Sequence, residues 1–281
     1  MDVLVGHTGL VGSTLLRQRS FHLCVHRANL HLLQGVHAQH LFLSALPAEK
    51  WRINADPQAD LANMALLQQA LLGVQAHTVV LISTVDVYAV PVDVDEFSAV
   101  GTPSPYGAHR HAFERWVRGH FPRVLVLRLP GLFGTGLKKN ALFDLLHNNH
   151  VERLHPQAQL QWYPLRRLSQ DIDLALAHGL DLANLSVEPV STGEIATRIF
   201  GRAPLAVAAG LQAGLQTGLL AGLQAGLQAG SQALTPARYS MRSLHAQTFG
   251  GGDGWCVERE QLWPALVDWH AQETAGRAAR A

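Results

Sequence analysis

Short apolar runs recur along the first half of the chain, at Val3–Val5, Phe21–Val25, Leu41–Ala45, Val79–Ser83 and Val124–Leu129. Each is bounded by Gly, Pro, His or polar residues, and the stretches between them have helical length, which predicts a βαβα series. After Pro57, the apolar residues Leu61, Met64, Leu67 and Leu71 keep helical spacing. Helical crossovers imply parallel strands, and strands without polar alternation imply burial on both faces. The expected fold class is therefore α/β, a Rossmann-like doubly wound parallel sheet with helices on both faces.

Beyond Asn140 the pattern loosens: Ala141–Leu146 and Asp171–Leu182 read as helices, and the later apolar pieces are shorter. The expected organisation is a first domain over 1–140 and a smaller, partly helical region over 141–281, with some chain returning to the first domain. An Ala-Gly-Leu-Gln repeat, 209–232, puts a glycine in every turn and drifts from the helical period of about 3.6 residues. It reads as an expanded surface insertion, the alternative being a lid or an oligomer contact. Thr274–Ala281 reads as a frayed tail.

Composition narrows the function classes. The 281 residues suffice for one large domain or two unequal ones. Lys plus Arg total 22 against 21 Asp plus Glu, so no net field favours nucleic acid or an anionic membrane, and a small-molecule partner is expected. Charged residues make up only 15%, which points to oligomerisation, a homodimer being the simplest form. Cys24 and Cys256 form neither a disulfide framework nor a zinc spacing, as in a reducing cytoplasm. Asp2-Val3-Leu4-Val5 runs into glycines without a basic leader, so no signal peptide is expected. Ala203–Ala237 is uncharged, but Gln212, Gln216, Gln224, Gln228 and Gln232 interrupt it, leaving no apolar run of about 18 residues as a membrane span requires.

Candidate chemistry begins at Gly6-His7-Thr8-Gly9-Leu10-Val11-Gly12, between the first strand and a helix through Leu15-Leu16. Glycines at such a turn allow tight turning, close backbone approach to a pyrophosphate and close helix–strand packing. A dinucleotide site here involves Gly6, Thr8, Gly9, Leu10, Val11 and Gly12; the alternative is a strand–helix turn with incidental glycines. After the second apolar run, His26-Arg27-Ala28-Asn29 offers no carboxylate for an adenosine ribose. Arg27 can pair with a 2′-phosphate, tilting an NAD(P) site toward NADP; otherwise it is a solvated loop residue.

Val79–Tyr88 is a buried strand running into Ser83, Thr84 and Asp86 at its C-terminal end, where open parallel sheets bind ligands. The stretch from Tyr106 through Glu114 and Val117 reads as a helix, and the i,i+4 spacing sets the Tyr106 phenol beside Arg110. A tyrosine acting as acid or base near neutrality needs such a cation, together with the charge of the cofactor, to lower its pKa. Alone, the pair reads equally as amphipathic packing.

Taken in order, Gly6–Gly12, the Ser83–Tyr88 strand end, Tyr106-x-x-x-Arg110 and Leu127–Gly134 resemble the extended short-chain dehydrogenase/reductases, with similarity to sugar-nucleotide epimerases and dTDP-4-dehydrorhamnose reductase. The resemblance covers about 140 residues and implies a dinucleotide-binding Rossmann domain followed by a substrate-binding region. It assigns Thr84 to the substrate oxygen and Tyr106 to proton transfer, borders the nicotinamide with Pro130 and Gly131, and lines the dinucleotide with Ser44, Ala45 and Leu46. It places Lys50 and Trp51 near the sugar or diphosphate, Asp86 near the substrate and Asn140 on the nucleotide diphosphate. The alternatives are core capping for Trp51 and a helix N-cap for Asn140.

Three departures stand out. Arg110 occupies the family's lysine position, keeping the charge on a larger and differently directed fork. Val85-Asp86 stands where dehydratases carry Asp-Glu, which disfavours dehydration against redox chemistry or epimerisation. The repeat interrupts the region the family uses for its substrate. The sixteen histidines include His37/His40, His109/His111 and His147/His150, but no His-Glu-x-x-His accompanies them; they read as solvated, and no metal is expected. No Gly-x-Ser-x-Gly elbow supports a serine hydrolase. The resulting expectation is an NAD(P)-dependent reductase or epimerase of a nucleotide-linked sugar. The alternatives are a dinucleotide-binding sensor or scaffold with a degenerate site and a reductase of a non-sugar carbonyl.

Overall fold

The computed structural model describes residues 1–203 and 236–278; the Ala-Gly-Leu-Gln repeat and residues 279–281 lie outside the described residues. In chain order the elements are β1 (Asp2–Val5), α1 (Leu10–Gln18), β2 (Leu23–Val25), β3 (His37–Leu43), α2 (Lys50–Ala55), α3 (Pro57–Leu71), β4 (Gln75–Thr84), β5 (Val92–Val94), α4 (Pro105–His120) and β6 (Val124–Leu129). They continue as β7 (Gly131–Phe133), α5 (Ala141–His147), β8 (Gln159–Leu160), β9 (Trp162–Pro164), α6 (Leu168–Ala177), β10 (Leu182–Asn184), β11 (Val190–Ser191), α7 (Thr192–Arg198), β12 (Ser240–Met241) and α8 (Arg259–Ala278).

The chain divides into two compact units. The first comprises 1–90, 96–129 and 166–184, and holds a six-stranded sheet of order β10-β6-β4-β3-β1-β2, parallel throughout. Its strands lack polar alternation because both faces are covered. On one face Val3, Val5, Leu41, Leu43, Val79, Leu81, Val124 and Val126 pack with Met64, Leu67 and Leu71 of α3 and Phe113 and Val117 of α4. The intervening Leu4, Phe42, Val80, Leu125 and Leu127 point the other way and are also buried.

Strand order reverses between β1 and β3, since β2 lies on one side of β1 and β3 on the other. At such a switch point the connecting loops diverge and leave a crevice at the carboxyl ends of the strands. The glycine turn leaves β1 there, and Ser44-Ala45 leaves β3 beside it.

The second unit comprises 91–95, 130–165 and, among the described residues, 185–203 and 236–278. It contains short strand pairs, β12 with β5 and β7 with β9 in parallel and β8 with β11 antiparallel, together with α5, α7 and α8. Tyr163, Leu165, Met241, Phe249 and Leu266 are buried, and the Phe133 and Trp269 rings meet edge to face at 5.8 Å.

Three local expectations need correction. Between β2 and β3, Arg27–Leu33 is a 3-10 segment broken at Asn29, not an α-helix. The helix expected over Asp171–Leu182 is α6, which stops at Ala177; a turn through Gly179, with Leu180 N–H bonded to the Ala175 carbonyl, redirects the chain into β10. Thr274–Ala278 is the last part of α8 instead of a frayed tail. No helix among the described residues is long and apolar enough to cross a membrane.

Candidate active site

The three glycines of the turn after β1 differ in what demands them. Gly6 has φ +94°, and a side chain there would strike the Ser44 carbonyl and Ala45; one at Gly12 would strike the Gly6 carbonyl. Gly9 is different, since an added Cβ would meet only the Gly6 carbonyl, at an ordinary 3.6 Å. Among the described residues, nothing requires glycine at position 9. Gly9 caps α1, the helix has no side-chain cap and no acidic residue in its first turn, and its opening N–H groups are left for an external acceptor. Exposed Thr8 and Gly9 at this positive helix end fit an approaching pyrophosphate. The His7 ring meets His26 edge to face at 5.2 Å, and its Nδ1 is buried without a hydrogen-bond partner among the described residues.

The C-terminal end of β4 lies on the same edge of the sheet. There the Thr84 hydroxyl donates to the Asp86 carboxylate at 2.8 Å and accepts from the Asp86 N–H at 3.2 Å. Tyr106, the second residue of α4, is buried, and its hydroxyl lies within hydrogen-bonding range of the Thr84 side chain. Two local features bring it there. Gly107 lets α4 approach the turn after β4, since any side chain would strike the Asp86 carbonyl. Asn54 of α2 holds the start of α4 by accepting from the Tyr106 N–H at 3.1 Å and from the Ser104 hydroxyl at 3.2 Å. The same helix α2 begins at Lys50, whose ammonium meets Asp86 at 2.5 Å and stands 5.9 Å from the centre of the Tyr106 ring.

Arg110 lies over the Tyr106 ring at 4.8 Å, but its hydrogen bonds go elsewhere. Its guanidinium grips both oxygens of buried Asp60 at 2.9 and 3.0 Å and donates to the Pro47 carbonyl at 2.6 Å, while His109 also pairs with Asp60 at 2.8 Å. Burial raises the Asp60 pKa, but the bonds and charge of Arg110, with His109, outweigh it and hold the carboxyl below its usual value. For Tyr106 the balance goes the other way. Burial pushes the phenol above its usual value and the Asp86 charge adds to this, while Arg110, Lys50 and the Thr84 hydrogen bond pull it back only in part. Arg110 therefore acts on the phenol in the expected direction, but its charge is shared with Asp60 and does not by itself outweigh burial.

A second buried tyrosine escaped the sequence reading as a site feature. The Tyr88 hydroxyl accepts from Arg128 at 2.9 Å and exchanges hydrogen bonds with the Asn184 side chain, and Arg128 pairs with Glu114 at 2.7 Å. Ser83, the other hydroxyl at this strand end, donates to Glu114 at 2.5 Å. The signal was available in α4: Tyr106, Arg110, Phe113 and Val117 form one stripe with Glu114 beside it, so two charges sit on a buried face and demand partners.

The remaining candidates belong partly to the first unit and partly to the second. Ser44 donates to the Val5 carbonyl at 3.3 Å and, with Ala45, walls the glycine turn; Leu46 follows, half-buried. Arg27 is exposed just beyond β2, without a hydrogen bond or ion pair among the described residues. Trp51, in the first turn of α2, is 46% exposed. In the second unit, Asn140 is the N-cap of α5: its oxygen accepts from Leu142 and Phe143, and its amide donates to the Leu132 carbonyl at 2.9 Å. Pro130 is buried, and Gly131 opens β7 where a side chain would strike Gln161 and Trp162. Among the described residues, no group of three or more His, Cys, Asp or Glu side chains is placed to hold a metal ion.

The six parallel strands and their reversal between β1 and β3 define a Rossmann-like α/β protein. Solved structures of sugar-nucleotide epimerases and reductases, the group with which the motifs share their resemblance, have the same fold along nearly the whole chain. MoeE5 in complex with UDP-glucuronic acid and NAD superimposes with a TM-score of 0.66 at 15% identity, over 97% of this chain and 99% of that one. A dTDP-4-dehydrorhamnose reductase from Clostridium acetobutylicum gives 0.65 at 15%, over 98% and 100%. UDP-N-acetylglucosamine 4-epimerase from Methanobrevibacter ruminantium, in complex with UDP-N-acetylmuramic acid, gives 0.69 at 11%, over 98% of each chain. At these identities the likeness is one of fold. No protein-family model matches the sequence, and no curated protein matches it.

Proposed function

We propose that this chain is an NAD(P)-dependent reductase or epimerase acting on a nucleotide-linked sugar. The observation that carries the reading is the juxtaposition of Thr84 and Tyr106 at the sheet edge that also presents the Gly9 turn. The ligands of MoeE5, a UDP-sugar and NAD, support the same classes of cofactor and substrate. When bound, the nicotinamide supplies or accepts a hydride at a sugar carbon. The protein's part is to hold the sugar oxygen with the Thr84 hydroxyl and move its proton through the Tyr106 phenol. Gly6, Thr8, Gly9, Leu10, Val11 and Gly12 receive the pyrophosphate, Ser44, Ala45 and Leu46 wall the dinucleotide, and exposed Arg27 tilts the adenosine end toward NADP. Trp51 and Asp86 belong to the sugar side, and Pro130, Gly131 and Asn140 keep the roles that the resemblance gives them. The protein acts in the cytoplasm as a homodimer.

The test is consumption of NADPH or NADH with a panel of nucleotide-linked keto sugars, and interconversion of nucleotide-sugar epimers with NAD. Tyr106→Phe is expected to lower turnover by about a thousandfold with cofactor affinity retained. Gly9→Val is expected to abolish cofactor binding in a folded protein. Unchanged turnover in Tyr106→Phe removes the assignment.

One observation favours a second reading, a dinucleotide-binding sensor with a degenerate site: Arg110 is committed to Asp60 and the Pro47 carbonyl. If wild type and Arg110→Lys both bind NADP(H) and neither converts any sugar nucleotide, the sensor reading replaces the enzyme.

A further inference from the structure

The position that the resemblance gives to lysine is filled by Arg110, whose guanidinium is bound to Asp60 and the Pro47 carbonyl. A cation is nevertheless present at Tyr106 from another direction. Lys50, the first residue of α2, meets Asp86 at 2.5 Å; Asp86 accepts from the Thr84 hydroxyl at 2.8 Å; and Thr84 lies within hydrogen-bonding range of the Tyr106 hydroxyl. Thr84 has one hydrogen, which goes to Asp86 while the phenol is protonated and turns to the oxygen of Tyr106 once the phenol ionises, the sense in which Thr84 pulls the phenol pKa down. The path is continuous: phenol, Thr84 hydroxyl, Asp86 carboxylate, Lys50 ammonium. Its far end reaches solvent, the Lys50 side chain being 32% exposed against 13% for Asp86.

We propose that Lys50 is the positioning residue of the proton-transfer site, acting on the Tyr106 phenol through Asp86 and Thr84 in place of a cation at position 110. This rests on the enzyme reading above and adds to it the group that restores the proton. When Tyr106 gives its proton to a substrate oxygen, the Thr84 hydroxyl passes its hydrogen to the phenolate. In the same step Asp86, a carboxylate with no proton of its own, takes one from the Lys50 ammonium as it gives one to the Thr84 oxygen, and water returns a proton to the Lys50 amine. One proton enters from solvent and one leaves with the product, and no electrons move along the chain.

The charged and titratable groups facing Tyr106 are Lys50 from α2, Asp86 from the turn after β4, and Arg110 from its own helix. Asp60 of α3 and His109 stand behind Arg110 and hold it. Of these, Lys50 is the member that reaches solvent, and its replacement leaves Asp86 the hydrogen bond from Thr84.

The test follows the Tyr106 ring resonance in protein labelled with isotope-enriched tyrosine, free of cofactor, across the alkaline range, with Tyr106→Phe to assign the signal. Lys50→Met is expected to raise the phenol midpoint by about one pH unit, and Lys50→Arg is expected to restore it. With cofactor and sugar nucleotide, Lys50→Met displaces the phenol-dependent limb of the turnover profile in the same direction and lowers turnover by about tenfold, and Lys50→Arg recovers both. An unmoved resonance in Lys50→Met, or an equal shift in Lys50→Arg, overturns the proposal. Absence of turnover in the wild type removes the enzyme reading instead, because the resonance is read without cofactor.

Discussion

Two buried tyrosines bracket the connection from β4 to α4, each beneath an arginine, and they sit in opposite kinds of surroundings. Arg128 lies 5.1 Å from the Tyr88 ring and Arg110 lies 4.8 Å from the Tyr106 ring, and both phenols are pushed above their usual pKa, in each case first by burial. At Tyr88 the arginine donates to the phenol itself, Asn184 completes the set and Glu114 neutralises the cation. Every member is turned inward. At Tyr106 the arginine is turned away to Asp60, and the hydroxyl faces a threonine, a carboxylate and an ammonium that reaches solvent. A buried phenol surrounded by satisfied partners holds structure together. One whose hydroxyl opens onto a hydrogen-bonded path can exchange a proton.

The contrast is broken most severely from the Tyr88 side. Glu114→Ala leaves Arg128 buried without its counter-ion and is expected to cost about 3–5 kcal/mol, read as a lower denaturation midpoint. Tyr88→Phe leaves hydrogen bonds of Arg128 and Asn184 unmade and should cost about 1–3 kcal/mol, while cofactor turnover stays at the wild-type level. A loss of turnover in Tyr88→Phe comparable to that in Tyr106→Phe would erase the distinction.

A pH titration reads the pair of Asp60 and Arg110. The folded-state pKa of Asp60 is lowered, so its contribution is present above the unfolded carboxyl pKa of about 4 and is lost as pH falls through the folded value. Wild-type stability should therefore fall on acidification, and Asp60→Asn should show a shallower acid limb in thermal melts taken across that range. The smallest effect belongs to the open pair: Lys50→Ala is expected to change stability by less than about 1 kcal/mol, measured by the same denaturation.

Much of this was legible in the sequence for a simple reason. Strands buried on both faces announce themselves as unbroken apolar runs, and β6 falls over Val124–Leu129 as the run does. The turn of Gly6, Gly9 and Gly12 was readable because glycine has few roles between a strand and a helix. The partners of the buried charges were not. Asp60 and Arg110 stand fifty positions apart, and Lys50 meets Asp86 from a helix of only six residues, too short for periodicity to show. A clue existed in α3, where the buried face is Asp60, Met64, Leu67 and Leu71. An acid in line with an apolar stripe signals a buried cation, but spacing alone does not say which. The ends of α6 and the strand β10 were missed because a turn through Gly179 divides a run that reads as one helix.

The most direct measurement is a single turnover with NADPH carrying deuterium at the transferable position of its nicotinamide, mixed with a nucleotide-linked keto sugar and analysed by the mass of the sugar product. Wild-type protein is expected to give a sugar heavier by one deuterium, and Tyr106→Phe, equally loaded with cofactor, to give none on the same timescale. Deuterium transfer that is equal in the two proteins, or a wild type that binds NADPH and delivers no deuterium to any sugar nucleotide, contradicts proton transfer by Tyr106 at a nicotinamide site.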